Sequence, residues 1–300
     1  IASRLHQYAN LQVVDRRGKI EVLCHLHVRC SGKSDSQVTP TTLCLPIHLP
    51  TYATTWCAKH KRDVEDALIA LFTRWPSWLP RTLLFGSMTI WLCLVARMVV
   101  IRHNTFFTFD FDLGIHDQSL WLLANGKWFN TVCGLPVFGH HASFMYLLLV
   151  PLVWIGAGPN VWNLIQVCAL GFSAIPVFLI AHNRLRSELP ATIFGIAWLL
   201  LPTTTYLAWE TFHPETMAVP FLLMAYHTCT VRTSSLPAVA MRRNISSMSW
   251  VVGAVLWKED LALALIGLGI LLIFRRRPLF GSIMIVCVTT YFVIVGLWLP

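Results

Sequence analysis

Apolar positions in this chain fall in long unbroken runs rather than at helical or alternating intervals. The first extends from Thr82 to Ile101, about 20 residues, which as a helix crosses a hydrocarbon core of about 30 Å. Further runs follow at 143–155, 161–181, 190–208, 216–231, 249–274 and 279–299. A helix that keeps no polar face over such a length is predicted to lie in lipid. Two runs are irregular. The 143–155 run has about 13 residues, short for a crossing, and ends near Trp154, a side chain suited to the headgroup level, so it predicts a helix lying in the interface. The 249–274 run carries Lys258, Glu259 and Asp260 at its middle. Three adjacent ionisable groups inside one crossing are expensive, so this run predicts two short helices meeting at a membrane surface.

Loop charges agree with both readings. The loops holding Arg184 and Arg186, then Arg232, Arg242 and Arg243, then Arg275 to Arg277 all fall on one side, the cytoplasmic side by the positive-inside tendency. Arg97, near one end of the first run, can snorkel toward the headgroups. The expected topology has a cytoplasmic N-terminus, a long outer loop over about 102–160, and outer turns at 209–215 and 258–260. The fold class is an all-α polytopic membrane protein.

Composition sharpens this. Hydrophobic residues make up 56% and charged ones 12% of the 300, with mean hydropathy +0.61. About a quarter of a soluble chain is charged, so a soluble domain, a disordered chain and a nucleic-acid-binding arm are excluded, and the net charge of +9 follows from arginine-rich cytoplasmic loops. Cys93, Cys168, Cys229 and Cys287 fall inside apolar runs, and the nine cysteines have no disulfide spacing. Residues 1–75 differ in kind, with 10 of the 23 Lys/Arg, 6 of the 14 Asp/Glu and no run long enough to span. They read as a polar cytoplasmic tail or a non-native extension, leaving 76–300 as the transmembrane domain. Cys24, His25, His27 and Cys30 match no zinc spacing. A chain that opens on Ile1 and stops at Pro300 directly after an apolar run reads as a piece of a longer frame.

Of the eight acidic residues after position 75, seven (Asp110, Asp112, Asp117, Glu210, Glu215, Glu259 and Asp260) fall on the outer side and only Glu188 does not. That loops need polar residues explains why charges avoid the spans. It does not explain their grouping by sign, because Asp and Glu have little topological preference. Asp110, Asp112 and Asp117 crowd the stretch 108–118, where a carboxylate could accept a proton, bind a cation or cap a helix. Asp117 reads best as a cap and Asp112 as the chemical group. Asp112 and His116 share a face if the stretch is helical. His140 and His141 precede the interfacial helix, and Glu210, His213 and Glu215 mark the second outer turn. Lys258 pairs with a neighbouring carboxylate or receives a phosphate. The sequon Asn244-Ile-Ser lies on the inner side and carries no information.

The stretch Phe111-Asp-Leu-Gly-Ile-His-Asp-Gln-Ser-Leu-Trp121, followed by His141, Gln166, Phe212-His-Pro-Glu215 and Lys258-Glu-Asp260, resembles the motifs of a bacterial multispanning family, domain-of-unknown-function family 2079 (DUF2079). The likeness covers about 80–300. That family in turn resembles the GT-C glycosyltransferases, including the protein mannosyltransferases and lipid A aminoarabinose transferases. The resemblance implies a GT-C-like helical bundle with an interfacial-helix outer loop after the first span. It implies inverting transfer of a hexosyl or pentosyl group from a polyprenyl-phosphate donor, on the outer face of a bacterial inner membrane, to an acceptor it does not identify. Membrane lipids surround it and nucleic acid plays no part.

On that resemblance Asp112 is the catalytic base, with Asp110 or Glu215 as a second acidic contact. Lys258 meets the donor phosphate, His141 and His213 position substrate, and Asp117, Gln118 and Glu259 complete the binding set. No cofactor is certain, and a divalent cation remains open. The chain departs from the family in lacking a Pro after His141, in its first 75 residues, and in the later spans and any outer domain, which would lie beyond Pro300. An ion- or proton-coupled transporter is the alternative, with a non-catalytic scaffold third. Transporters carry helix interruptions in matching halves, and the interruption at 258–260 has no evident partner in the first half.

Overall fold

A computed structural model of the chain describes residues 7–16, 19–28, 75–76, 78–108, 111–231 and 237–298. The chain divides into two compact units, 1–71 and 72–300. In the first, β1 (Gln7–Arg16) and β2 (Lys19–Val28) form an antiparallel hairpin whose register runs from Gln7 opposite Val28 to Arg16 opposite Lys19. The sequence reading anticipated no strand here. Ile20, Val22, Cys24, Leu26 and Val28 recur at every second position, a strand period that a search for long apolar runs passes over. Cys24, His25 and His27 lie on β2, while Cys30 is outside the described residues.

The second unit is helical. It comprises α1 (Trp78–Asn104), α2 (Phe111–Ala124), α3 (Tyr146–Trp154), α4 (Pro159–Phe172), α5 (Ala174–Leu185), α6 (Glu188–Leu200), α7 (Pro202–Trp209), α8 (Pro214–Met217), α9 (Val219–Thr230), α10 (Pro237–Val255), α11 (Leu261–Phe274) and α12 (Pro278–Trp298). A two-residue ladder, β3 (Phe129–Asn130) with β4 (Leu135–Pro136), lies between α2 and α3. Among the described residues three stretches are long and apolar enough to cross a membrane: α1, the α4–α5 rod over Pro159–Leu185, and Pro278–Leu297 of α12. The α6–α7 pair makes a fourth if its 45° bend is one span. That bend falls at Leu201, which is extended (ψ 129°) because it precedes Pro202. Along α1, Leu83, Phe85, Ile90, Leu94 and Met98 stay exposed, a surface that water would not tolerate and lipid does.

Contacts at the helix ends show that the passes share two levels. Arg81 meets Glu188 at 2.5 Å and Thr192 bonds the Pro80 carbonyl, which sets the starts of α1 and α6 together. At the opposite level Asn160 bonds Asn104, and Arg102 bonds the Trp209 carbonyl, joining the ends of α1 and α7 to the start of α4. The second half follows the same two levels. Arg277, just past α11, donates to the Cys229 carbonyl at the end of α9 and to Asn244 near the start of α10, while Tyr291 of α12 reaches the Val255 carbonyl at the end of α10. The chain therefore turns back at 256–260 rather than crossing as one helix, as Lys258-Glu-Asp260 implied, although only α11, with 14 residues, is short and α10 has 19.

Packing is what holds these helices, since lipid removes the hydrophobic drive between them. The buried side of α1 is Leu84, Met88, Trp91, Val95 and Val99, spaced three or four apart, and it meets Val167, Leu170, Ala174, Leu199 and Ala208. Helices α11 and α12 approach at two glycines. A Cβ on Gly281 would lie 2.6 Å from the Gly269 carbonyl oxygen, so a larger residue would force the backbones apart. Helix α3 has 9 residues, about 14 Å of rise, and does not span, as its length implied.

Candidate functional site

The level that carries the carboxylates is organised by the first turns of α4. Gln166 is fully buried, and its Nε2 donates to the carbonyls of Leu207, Glu210 and Thr211 while its Oε1 accepts the His213 N–H and the Thr216 hydroxyl. Asn163, one turn earlier, accepts the Phe212 N–H at 2.8 Å. A buried carboxamide so fully used fixes the backbone of 207–216, and with it the positions of His213 and Glu215.

Helix α2 brings Asp112 and His116 to this turn, one above the other at i and i+4. Asp112, in the first turn and half exposed, has Oδ2 3.4 Å from His213 Nε2. His213 Nδ1 sits 2.7 Å from the Thr211 carbonyl. A carbonyl only accepts, so Nδ1 donates to it and Nε2 is the ring atom that faces the Asp112 carboxylate. Below it His116 is buried, edge-on to His213 and Phe212, with Nδ1 2.6 Å from the Tyr146 hydroxyl. Burial, followed by the nearby His213, His140, His141 and Lys258, pulls the His116 imidazole down to about 3. It is neutral at physiological pH, and burial also pushes the Tyr146 phenol up, so a neutral pair lies beneath Asp112 and His213.

The turn between α10 and α11 supplies the rest. Lys258 Nζ lies 3.4 Å from Glu215 Oε1 and 3.9 Å from Asp260 Oδ2. Both separations exceed a normal hydrogen bond, so the ammonium is oriented but not locked. Glu259 instead makes a tight clamp, taking His141 Nδ1 and the Ala142 N–H at 2.8 Å each. Burial alone would raise its carboxyl, but the His141 bond and the backbone N–H bonds outweigh it and hold it down at about 2. The Leu256 carbonyl also accepts the Met145 N–H, so this turn anchors the entry to α3, which begins at Tyr146. His140 stacks edge-on against His141; burial and that neighbour lower its imidazole, against the opposing pull of Asp112 and Glu259.

His141, Glu259 and Asp260 can bring ligand atoms within 4.8 Å of one another, a spacing compatible with a cation. His141 Nδ1 and both Glu259 oxygens are already engaged in the clamp, and Lys258 adds positive charge beside Asp260, so the set fits an internal strut better than a metal site.

Of the residues singled out from sequence, Asp112, His141, His213, Glu215, Lys258 and Glu259 meet at this level. Asp110 lies outside the described residues. Asp117 sits in the second turn of α2, bonded through Oδ1 to the Trp162 indole N–H at 2.7 Å; it does not cap the helix, which starts at Phe111 instead. Gln118 is tied to Thr131 and the Val132 N–H in the β3–β4 loop. Both face away from Asp112, because 117 and 118 lie on the opposite side of α2. Sequence reasoning missed Tyr146 and Asn163. Neither had a signal, because each acts by meeting a residue more than 25 positions away.

Residues 102–300 match DUF2079, a family described as a predicted membrane protein. No curated protein and no solved structure matches the chain.

Proposed function

The chain belongs to the DUF2079 family of membrane proteins, and on that premise we propose that it is a glycosyltransferase working at the carboxylate-bearing level of its helix bundle. The donor is a sugar on a polyprenyl phosphate, held by its lipid at bilayer depth, and the site faces the outside of a bacterial inner membrane. One observation carries the reading: Asp112, at the start of α2, pairs with His213, and Lys258, on the α10–α11 turn, pairs with Glu215 two residues along the same loop. A base and a cation so placed suit the two ends of a glycosyl transfer.

The acceptor hydroxyl oxygen attacks the anomeric carbon through an oxocarbenium-like state. Its proton passes to the Asp112 carboxylate, the bond from the anomeric carbon to the phosphate oxygen breaks, and the lipid phosphate leaves with the electron pair. A single displacement inverts the anomeric centre. Lys258 shifts from Glu215 toward the leaving phosphate, and His213, 3.4 Å away, orients the Asp112 carboxylate.

The test is loss of labelled sugar from a panel of polyprenyl-phosphate and polyprenyl-diphosphate sugars in proteoliposomes. Asp112→Asn is expected to lower turnover by about a hundredfold or more with normal insertion and protein level. A fully active Asp112→Asn protein would remove the base assignment, and no loss with any donor would move the question to ion flux. Sidedness has its own check. In a cysteine-free background, Arg184→Cys is expected to react with an impermeant thiol reagent only after permeabilisation, and labelling in intact cells would reverse the topology.

A further inference from the structure

Helix α2 has a second working face. Gly114, Asp117 and Trp121 recur at i, i+3 and i+7, opposite the side that presents Asp112 and His116. They form one wall of a cleft of about 320 Å³ whose other wall is Val153, Ala157 and Gly158, between the end of α3 and the start of α4. That volume lies within the range of small-molecule sites. The cleft is braced at both ends, by Trp154 donating to the Ala124 carbonyl and by Trp162 donating to Asp117 Oδ1. Room is left in front of two backbone segments, since a Cβ on Gly114 or Gly158 would meet nothing within 4 Å.

The lining chooses among ligand classes. Asp117 keeps its second oxygen for a donor, which disfavours phosphate and other anions. The ammonium of Lys127 already lies over the Trp121 ring, 5.1 Å from its centre, so a second cation would meet a like charge there. What fits is neutral, with hydroxyls for the carboxylate and an aliphatic face for Trp121, Val153 and Ala157. We propose that this cleft is a second binding site, separate from the Asp112 level, for a neutral hydroxyl-bearing ring such as a pyranose. Gln118 serves as wall only, because both of its polar atoms are used by the β3–β4 loop.

Binding is measured without any donor, so the result stands apart from whether Asp112 supports transfer. The protein is placed in phosphatidylcholine nanodiscs, and saturation-transfer NMR is recorded with methyl β-glucopyranoside, octyl β-glucoside and octyl phosphocholine. Saturation of the ring protons of both glucosides is expected, identifying a site for the ring itself; saturation of octyl β-glucoside alone identifies a glycolipid headgroup site. Gly158→Trp is expected to abolish the signal, since residue 158 lines the cleft, its backbone is extended and an added Cβ meets nothing within 4 Å. Asp117→Asn, which keeps an acceptor for Trp162, should weaken binding by about tenfold. Trp121→Ala, at a half-exposed position, gives a second variant that does not disturb the core and should weaken it too. Octyl phosphocholine saturating as strongly as the glucosides, no glucoside signal, or full signal in Gly158→Trp would each overturn the proposal.

Discussion

The two ends of the helix bundle use their charges differently. At the basic end Arg81 closes a tight pair with Glu188, and two arginines cap a helix end: Arg243 donates to the Val231 carbonyl, and Arg277 to the Cys229 carbonyl and Asn244. These are the unsatisfied carbonyls at the end of α9, which a cation caps well. At the acid end Arg102 likewise bonds the Trp209 carbonyl, but the carboxylates meet other side chains, Asp112 with His213, Glu215 with Lys258, Glu259 with His141. A cation spent on a helix end belongs to the fold. A charge held by another charge at 3.4 Å can be handed to a ligand while the backbone stays in place, and this is why chemistry is sought at one end only.

Three perturbations test that contrast, in falling order of effect. Gln166→Leu removes the carboxamide that fixes 207–216, leaving several buried groups unpaired at about 1–3 kcal/mol each. It is expected to lower the melting temperature sharply and to abolish sugar release along with it; an active, stable variant would show that His213 and Glu215 do not depend on that turn. Arg277→Ala loses two charge-assisted bonds, worth about 1–3 kcal/mol in all, and is expected to lower stability while leaving kcat and KM of the surviving protein unchanged. A selective fall in kcat there would dissolve the division between the ends.

The smallest effect is one of pH. The His116 imidazole is depressed from 6.5 to about 3 and the Glu259 carboxyl from 4.5 to about 2. In both cases the unfolded chain binds the proton more readily, so stability falls as pH drops. The His116 contribution begins below about 6.5 and is complete near 3; that of Glu259 is lost between about 4.5 and 2. Melting temperature is therefore expected to decline from pH 6.5 downward. His116→Gln, whose carboxamide can still accept from Tyr146, should flatten the decline above pH 4.5 and leave below it only the part due to Glu259. An unchanged slope in that variant would assign the effect to other groups.

Much of the helical architecture was legible in the chain. Apolar run length marked α1, α4–α5 and α12, the shortness of 143–155 marked a helix that does not cross, and Lys258-Glu-Asp260 marked the turn between α10 and α11. These succeed because desolvation of backbone and charge is settled locally, residue by residue. The β1–β2 hairpin escaped, because its period of two does not register as a long run. The 45° bend at Leu201 supplies a second interrupted helix that run length did not reveal, although Pro202 stood there to be read.

The site was legible as a set and not as an arrangement. Sequence by itself determined that this is a membrane protein with one acidic and one basic end, because charge burial and loop composition follow from single residues. Only the tertiary structure decided that Asp112 faces His213 while Asp117, five residues on, faces a different cleft. It likewise decided that Glu259 clamps the loop at His141 and that Gln166 holds the turn at His213. Those pairings join residues up to 118 positions apart, and what brings them together is helix packing and the rotation of α2 about its axis, neither of which any local stretch of the chain encodes.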